Sequence, residues 1–97
     1  MDFRITDSRF EAVGDGQVVG WLDFTNDNGM VSMTHTVVPS KYEGRGIGTS
    51  LVAHALNYAR DHDWQVLPYC SFIQAYIVTH EGYLQLVPKD RRAEFVL

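Results

Sequence analysis

Glu43-Gly44-Arg45-Gly46-Ile47-Gly48-Thr49-Ser50 stands between a stretch patterned as a β-strand and one patterned as a helix. Three glycines at alternate positions let the backbone turn tightly and present its N–H groups. A helix beginning directly after them aims the positive end of its dipole at the same spot. Together these features form an anion site of the kind that takes phosphates. The segments on either side of the loop decide the architecture.

Upstream, Arg9 to Val13 is β-compatible and Gly14-Asp15-Gly16 is a turn. Gln17 to Thr25 is rich in β formers, with Val18, Val19, Trp21, Leu22 and Phe24. Asn26-Asp27-Asn28-Gly29 supplies a second turn with an Asn-Gly signal. Met30 to Val38 reads as a third strand. Simple alternation puts Val31, Met33, His35 and Val37 on one face, and Ser32, Thr34, Thr36 and Val38 on the other. Turns of hairpin length imply an antiparallel meander, which Pro39-Ser40 ends.

Downstream, a helix is predicted from about Gly46 to His62. Ile47, Leu51, Val52, Ala55, Leu56 and Ala59 form its apolar face, while His54 and His62 read as surface. Trp64 to Tyr69 is a strand entered from a helix, parallel to the preceding strand in a β-α-β crossover. Pro68 then belongs at a bulge or on the side without a ladder partner. Ser71 and Gln74 have the spacing of a capping box. They open a second helix to about His80, with Phe72, Ile73, Tyr76 and Ile77 toward the core. From Tyr83 to Leu97 a short helix, a strand and a loop all remain open. The predicted class is α/β (α+β): a mixed sheet with an antiparallel N-terminal meander, a β-α-β crossover and a second helix.

A chain of 97 residues has room for one modest core, so a single domain over residues 1–97 is expected. A formal net charge of −4 argues against general nucleic-acid binding, which needs a basic footprint. No apolar run approaches the roughly 18 residues of a membrane span. Met1-Asp2-Phe3-Arg4 does not read as a signal peptide. Cys70 is the single cysteine, which rules out an internal disulfide, and a cytoplasmic setting is expected. No His, Cys, Asp or Glu cluster has metal-ligand spacing, so no metal is expected.

Two common phosphate loops do not fit. A P-loop requires Lys before the Ser/Thr, and Gly48 is followed directly by Thr49-Ser50. A dinucleotide fingerprint requires G-x-G-x-x-G and an acidic partner on the next strand. Gly44, Gly46 and Gly48 give G-x-G-x-G with no such partner.

The order of elements around this loop resembles the GNAT acetyltransferase superfamily. Its loop pattern, Arg/Gln-x-x-Gly-x-Gly/Ala, is matched by Gly46 and Gly48, with Glu43 at the first position. More narrowly, the chain is similar to the short single-domain YjdJ-type proteins of that superfamily. The shared places are His35-Thr36, Cys70-Ser71-Phe72 and His80-Glu81-Gly82-Tyr83, so the likeness covers nearly the whole chain. Two positions depart from it. Val37 stands where the family often has Glu, and Ser71 where it has Pro.

The resemblance implies a domain that binds acetyl-coenzyme A as co-substrate and transfers acetyl to an amine, a protein or peptide amine among the candidates. Glu43, Gly44, Arg45, Gly46, Ile47, Gly48, Thr49 and Ser50 would form the cofactor loop. The amides from Arg45 to Thr49 would hold the pyrophosphate, with the Thr49 and Ser50 hydroxyls and the Lys41 and Arg45 cations nearby. Val37 and Val38, at a splayed strand end, would pair through backbone with the pantetheine arm. Only Gly14-Asp15-Gly16 joins the first two strands read here, so the paired helices that usually shape the acceptor pocket are missing. The alternative is a non-catalytic coenzyme A-binding or interaction module of the same fold. A third reading is a structural domain whose loop holds nothing.

Cys70 and His35 are the candidate catalytic residues. Cys70 is either a small buried hydrophobe or a nucleophile. It sits before Ser71 at a helix N-terminus, where the dipole favours thiolate, and a thiolate can carry an acetyl group. His35 is either a hydrogen-bonded core residue or a base for the amine or for Cys70. His80 is a further candidate for orienting the site. Lys89, Arg91 and Arg92 read as a solvated basic tail or as a contact to the coenzyme's ribose phosphate.

Overall fold

The computed structural model describes residues 1–97. Its elements are β1 (Asp2–Ile5), β2 (Arg9–Gly14), β3 (Gln17–Asp27), β4 (Met30–Val37), α1 (Ile47–Asp61), β5 (Gln65–Pro68) and α2 (Ser71–Thr79). Short 3-10 turns cover Ser40–Tyr42, Glu81–Leu86 and Lys89–Phe95. The strands form one sheet in the order β1-β2-β3-β4-β5. The first four are antiparallel to their neighbours, and β5 runs parallel to β4. This is the mixed sheet with crossover that the sequence predicts. The β3–β4 turn places Asn28 and Gly29 at φ 51° and 89°, the left-handed pair that a tight hairpin turn requires.

The core lies between the sheet and α1. Ile47, Leu51, Val52, Ala55, Leu56 and Ala59 are buried, which is the set that helical periodicity selects. They meet Phe10, Ala12, Leu22, Phe24, Val31, Met33 and Val66 of the sheet. Gly20 of β3 permits the closest approach. A Cβ there would lie 2.9 Å from Ile47 and 3.1 Å from Leu51, so only glycine lets the first turns of α1 settle on the strand.

Several expectations are corrected. The strand Asp2–Ile5 was missed; it adds an edge to β2 and brings Phe3 over α1. His54 is therefore no surface residue. It is half-buried, stacked on Phe3 at 4.4 Å and edge-on to Phe10. Burial lowers its pKa from the ordinary 6.5. The face assignment in β4 fails after Met33. A bulge makes Thr34 an extra residue, so Phe24 pairs with Met33, but Asp23 pairs with His35 and Leu22 with Thr36. His35 and Val37 thus face away from α1, and Thr36 faces the helix side with Leu22.

The capping box does not form. Cys70 is the N-cap of α2 and makes no side-chain cap bond. Gln74 instead donates to the Pro68 carbonyl at 2.9 Å. On α2, Ile73 and Ile77 are buried and Tyr76 is half-buried, but Phe72 is 45% exposed rather than core. The tail resolves into 3-10 turns. Arg92 holds them by donating to the carbonyls of Val87 and Leu84, and Arg91 pairs with Glu94. Arg92 thus closes the tail, while Arg91 keeps a partly exposed guanidinium beside Glu94.

Candidate functional site

The loop after β4 does what its glycines suggest. Gly44 and Gly46 take φ 80° and 74°, and Gly46 is the left-handed N-cap of α1. No side chain caps the helix and no acidic residue lies in its first turn. The N–H groups from Gly44 through Thr49 bond to no protein acceptor, and the next amide, that of Ser50, closes onto the Gly46 carbonyl at 3.0 Å. The result is a run of free donors at the positive end of a helix of 15 residues.

These donors open onto a groove of about 380 Å³. Thr36 and Val38 line it from the β4 end, and Tyr42, Glu43, Gly44 and Gly46 from the loop. Ile47, Gly48 and Thr49 line it from α1, and Phe72 from α2. Gly48 is helical, and its value is space: a Cβ would stand 3.4 Å from the Phe72 ring. Tyr42 fixes the loop to β3 by donating its hydroxyl to Gln17 at 2.9 Å. Lys41 and Arg45 lie over its ring, at 5.0 and 5.6 Å from the centroid. The four ion pairs of the chain involve neither cation, so both remain available to an anion.

Next to Thr36, β4 outruns its parallel partner. β4 and β5 pair from Met30–Gln65 to Met33–Pro68 and then stop, while β4 continues to Val37. The Met33 carbonyl accepts from both Tyr69 N–H and Cys70 N–H, at 3.0 and 3.2 Å. Cys70 is half-buried, and its Sγ lies 3.7 Å from Thr36 Oγ1.

The structure thus gathers Val38, Glu43, Gly44, Gly46, Ile47, Gly48 and Thr49 at one groove, with Cys70 behind Thr36. Arg45 lines a neighbouring hollow with Gln17 and Tyr42. Val37 pairs with Trp21 on the β3 side, and the Ser50 amide bonds to the Gly46 carbonyl. His35 is exposed and stands apart, on the other face of the sheet opposite Asp23. His80 is stacked on Tyr76, with its Nδ1 2.8 Å from the Tyr76 carbonyl oxygen. By sequence, none of Thr36, Tyr42 and Phe72 is assigned to the site: Thr36 and Phe72 figure only as motif neighbours and as strand or helix positions, and Tyr42 not at all. The only cue for Thr36 was its place beside His35.

The other sheet face carries Arg4–Glu11 and Arg9–Asp23 ion pairs beside Trp21. No helix joins β1, β2 and β3. No helix of the chain is long and apolar enough to cross a membrane.

The fold is a mixed α/β sheet whose last strand pair is parallel, with a glycine-opened helix presenting free amides beside it. The chain belongs to the GCN5-related N-acetyltransferase family, whose family model matches residues 9–87. Among solved structures it is similar to the NMR structure of a GCN5-like candidate N-acetyltransferase from Staphylococcus aureus. The two are 18% identical, with a TM-score of 0.68 over 90% of this chain and 87% of that one. At that identity the likeness is one of fold. No curated protein matches the chain in sequence.

Proposed function

We propose that this single domain binds acetyl-coenzyme A in the groove and transfers its acetyl group to an amine. The observation that carries this reading is the run of unpartnered amides from Gly44 to Thr49, on a groove that Thr36, the contact of Cys70 Sγ, also lines. Those amides would take the pyrophosphate, with Lys41 and Arg45 beside them. The pantetheine arm would lie along Val38 toward the end of β4 that outruns β5.

Two routes are compatible with the geometry. In the direct route the amine nitrogen attacks the thioester carbonyl and the carbon–sulfur bond of acetyl-coenzyme A breaks. The proton lost by nitrogen ends on the departing sulfur. In the relayed route Cys70 Sγ attacks first, and its proton passes to the coenzyme sulfur. The amine then attacks the new Cys70 thioester and returns a proton to Sγ. The acceptor would approach from the sheet face that carries His35, and a protein or peptide amine is among the candidates.

A second reading is coenzyme binding without turnover. One observation favours it: Glu43, at the outer loop, is the only carboxylate lining the groove, and His35 faces the other way. Calorimetry and intact-mass measurement with acetyl-coenzyme A, beside Cys70→Ala, separate the readings. One-to-one binding with an acetyl adduct lost in Cys70→Ala supports the relay. Binding without adduct, followed by acetylation in an amine screen, supports direct transfer. Binding with neither supports the silent module, and no binding overturns the proposal.

A further inference from the structure

We propose that Thr36, not His35, is the residue that positions the Cys70 sulfur. Two separate contacts from β4 fix Cys70. The Met33 carbonyl holds its amide at 3.2 Å, together with the amide of Tyr69. Thr36 holds its sulfur, with Sγ–H directed at Oγ1 across 3.7 Å. The bulge makes the second possible. In a regular strand, Met33 and His35 would share a face and Thr36 would point away. The extra residue, Thr34, is anchored by its hydroxyl to the Asp23 carbonyl at 3.3 Å, and it reverses the phase. The same strand therefore presents Met33 and then Thr36 to the start of α2.

Thr36 also lines the groove, so it is the residue that links the cavity to the sulfur. A hydroxyl both accepts and donates. With the thiol protonated, Oγ1 accepts Sγ–H. As the sulfur loses its proton and attacks, the same hydroxyl rotates and donates to Sγ; the proton ends on the coenzyme sulfur as its bond to carbon breaks. No other side chain bonds to Sγ. This assignment rests on the coenzyme reading only for what the sulfur attacks; the contact stands without it.

Cys70 is the single cysteine, so thiol labelling reads this site alone. The test compares wild type with Thr36→Val and Thr36→Ser, with Thr36→Ala in reserve should valine not be accommodated. Three quantities are read: the rate of iodoacetamide labelling at one mildly alkaline pH, the rate of Cys70 acetylation by acetyl-coenzyme A, and acetyl-coenzyme A affinity. Thr36→Val is expected to slow labelling and acetylation by about tenfold, the order of one charge-assisted hydrogen bond, with affinity retained. Thr36→Ser is expected to restore both rates. Labelling of Thr36→Val at the wild-type rate overturns the proposal. So does a Thr36→Ser protein as slow as Thr36→Val, because the methyl group and not the hydroxyl would then matter. If labelling separates Val from Ser while wild type takes up no acetyl-coenzyme A, the Thr36–Cys70 relation stands and the coenzyme reading falls.

Discussion

The Phe72 ring lies 3.4 Å from the point where a Cβ on Gly48 would be. One wall of the groove is thus the contact between the first turn of α1 and the first turn of α2. Phe72 is held there although 45% of it meets solvent, so it can move aside at small cost.

That relation gives Gly48→Ala two effects of opposite sign. Alanine in a helix is favoured over glycine by about 1 kcal/mol, and φ at this position needs no glycine. The melting temperature should hold or rise. Acetyl-coenzyme A affinity should fall, because the added methyl and the displaced ring narrow the groove beside the free amides. Calorimetry and a melting curve on the same sample check both.

His35→Ala should leave acetyl-coenzyme A affinity and Cys70 acetylation at wild-type levels, since the side chain is on the far face of the sheet, opposite Asp23. An effect confined to the amine acceptor's KM would place His35 on the acceptor side. Slowed acetylation of Cys70 by His35→Ala would contradict the bulge at Thr34.

Stability should depend on pH through His54. Burial depresses its folded-state pKa below the unfolded 6.5, so the folded chain prefers the neutral ring between Phe3 and Phe10. The contribution is fully present above about pH 6.5. It is lost as pH falls through that value toward the folded pKa, because the unfolded chain takes up the proton first. His54→Phe keeps the stacking and removes the proton site. Melting followed from about pH 7.5 to about pH 5 should fall less steeply in the variant than in wild type.

Arg92→Met keeps the aliphatic stem but withdraws the donors to the Leu84 and Val87 carbonyls. The expected loss is about 1–2 kcal/mol, equivalent to roughly 4–8 °C of melting temperature per kcal/mol in a chain of this size. Coenzyme affinity should not change, which distinguishes an arginine that closes the tail from one that binds the ribose phosphate.

Much of this protein is determined by the sequence alone. The apolar set of α1, from Ile47 to Ala59, follows from helical period and is buried as a unit. The Asn28-Gly29 turn, the crossover into β5 and the glycine loop are local instructions, written in residues that have few other conformations to choose. What only the tertiary structure decided depends on pairing. A strand read by itself alternates without interruption, so nothing in Met30–Val37 announces that Thr34 is surplus. The extra residue exists only in register with β3, and it is what exchanges His35 for Thr36 beside Cys70. The short edge strand β1 is likewise stabilised by its partner β2 rather than by its own composition, and once it docks, Phe3 covers His54. The cap of α2 moved from Ser71 to Cys70 for the same reason. The Met33 carbonyl claims the Tyr69 and Cys70 amides, and Pro68 claims Gln74. Local propensity chooses an element, but hydrogen-bond partners supplied by distant strands choose its register, and the register decides which side chains meet at the site.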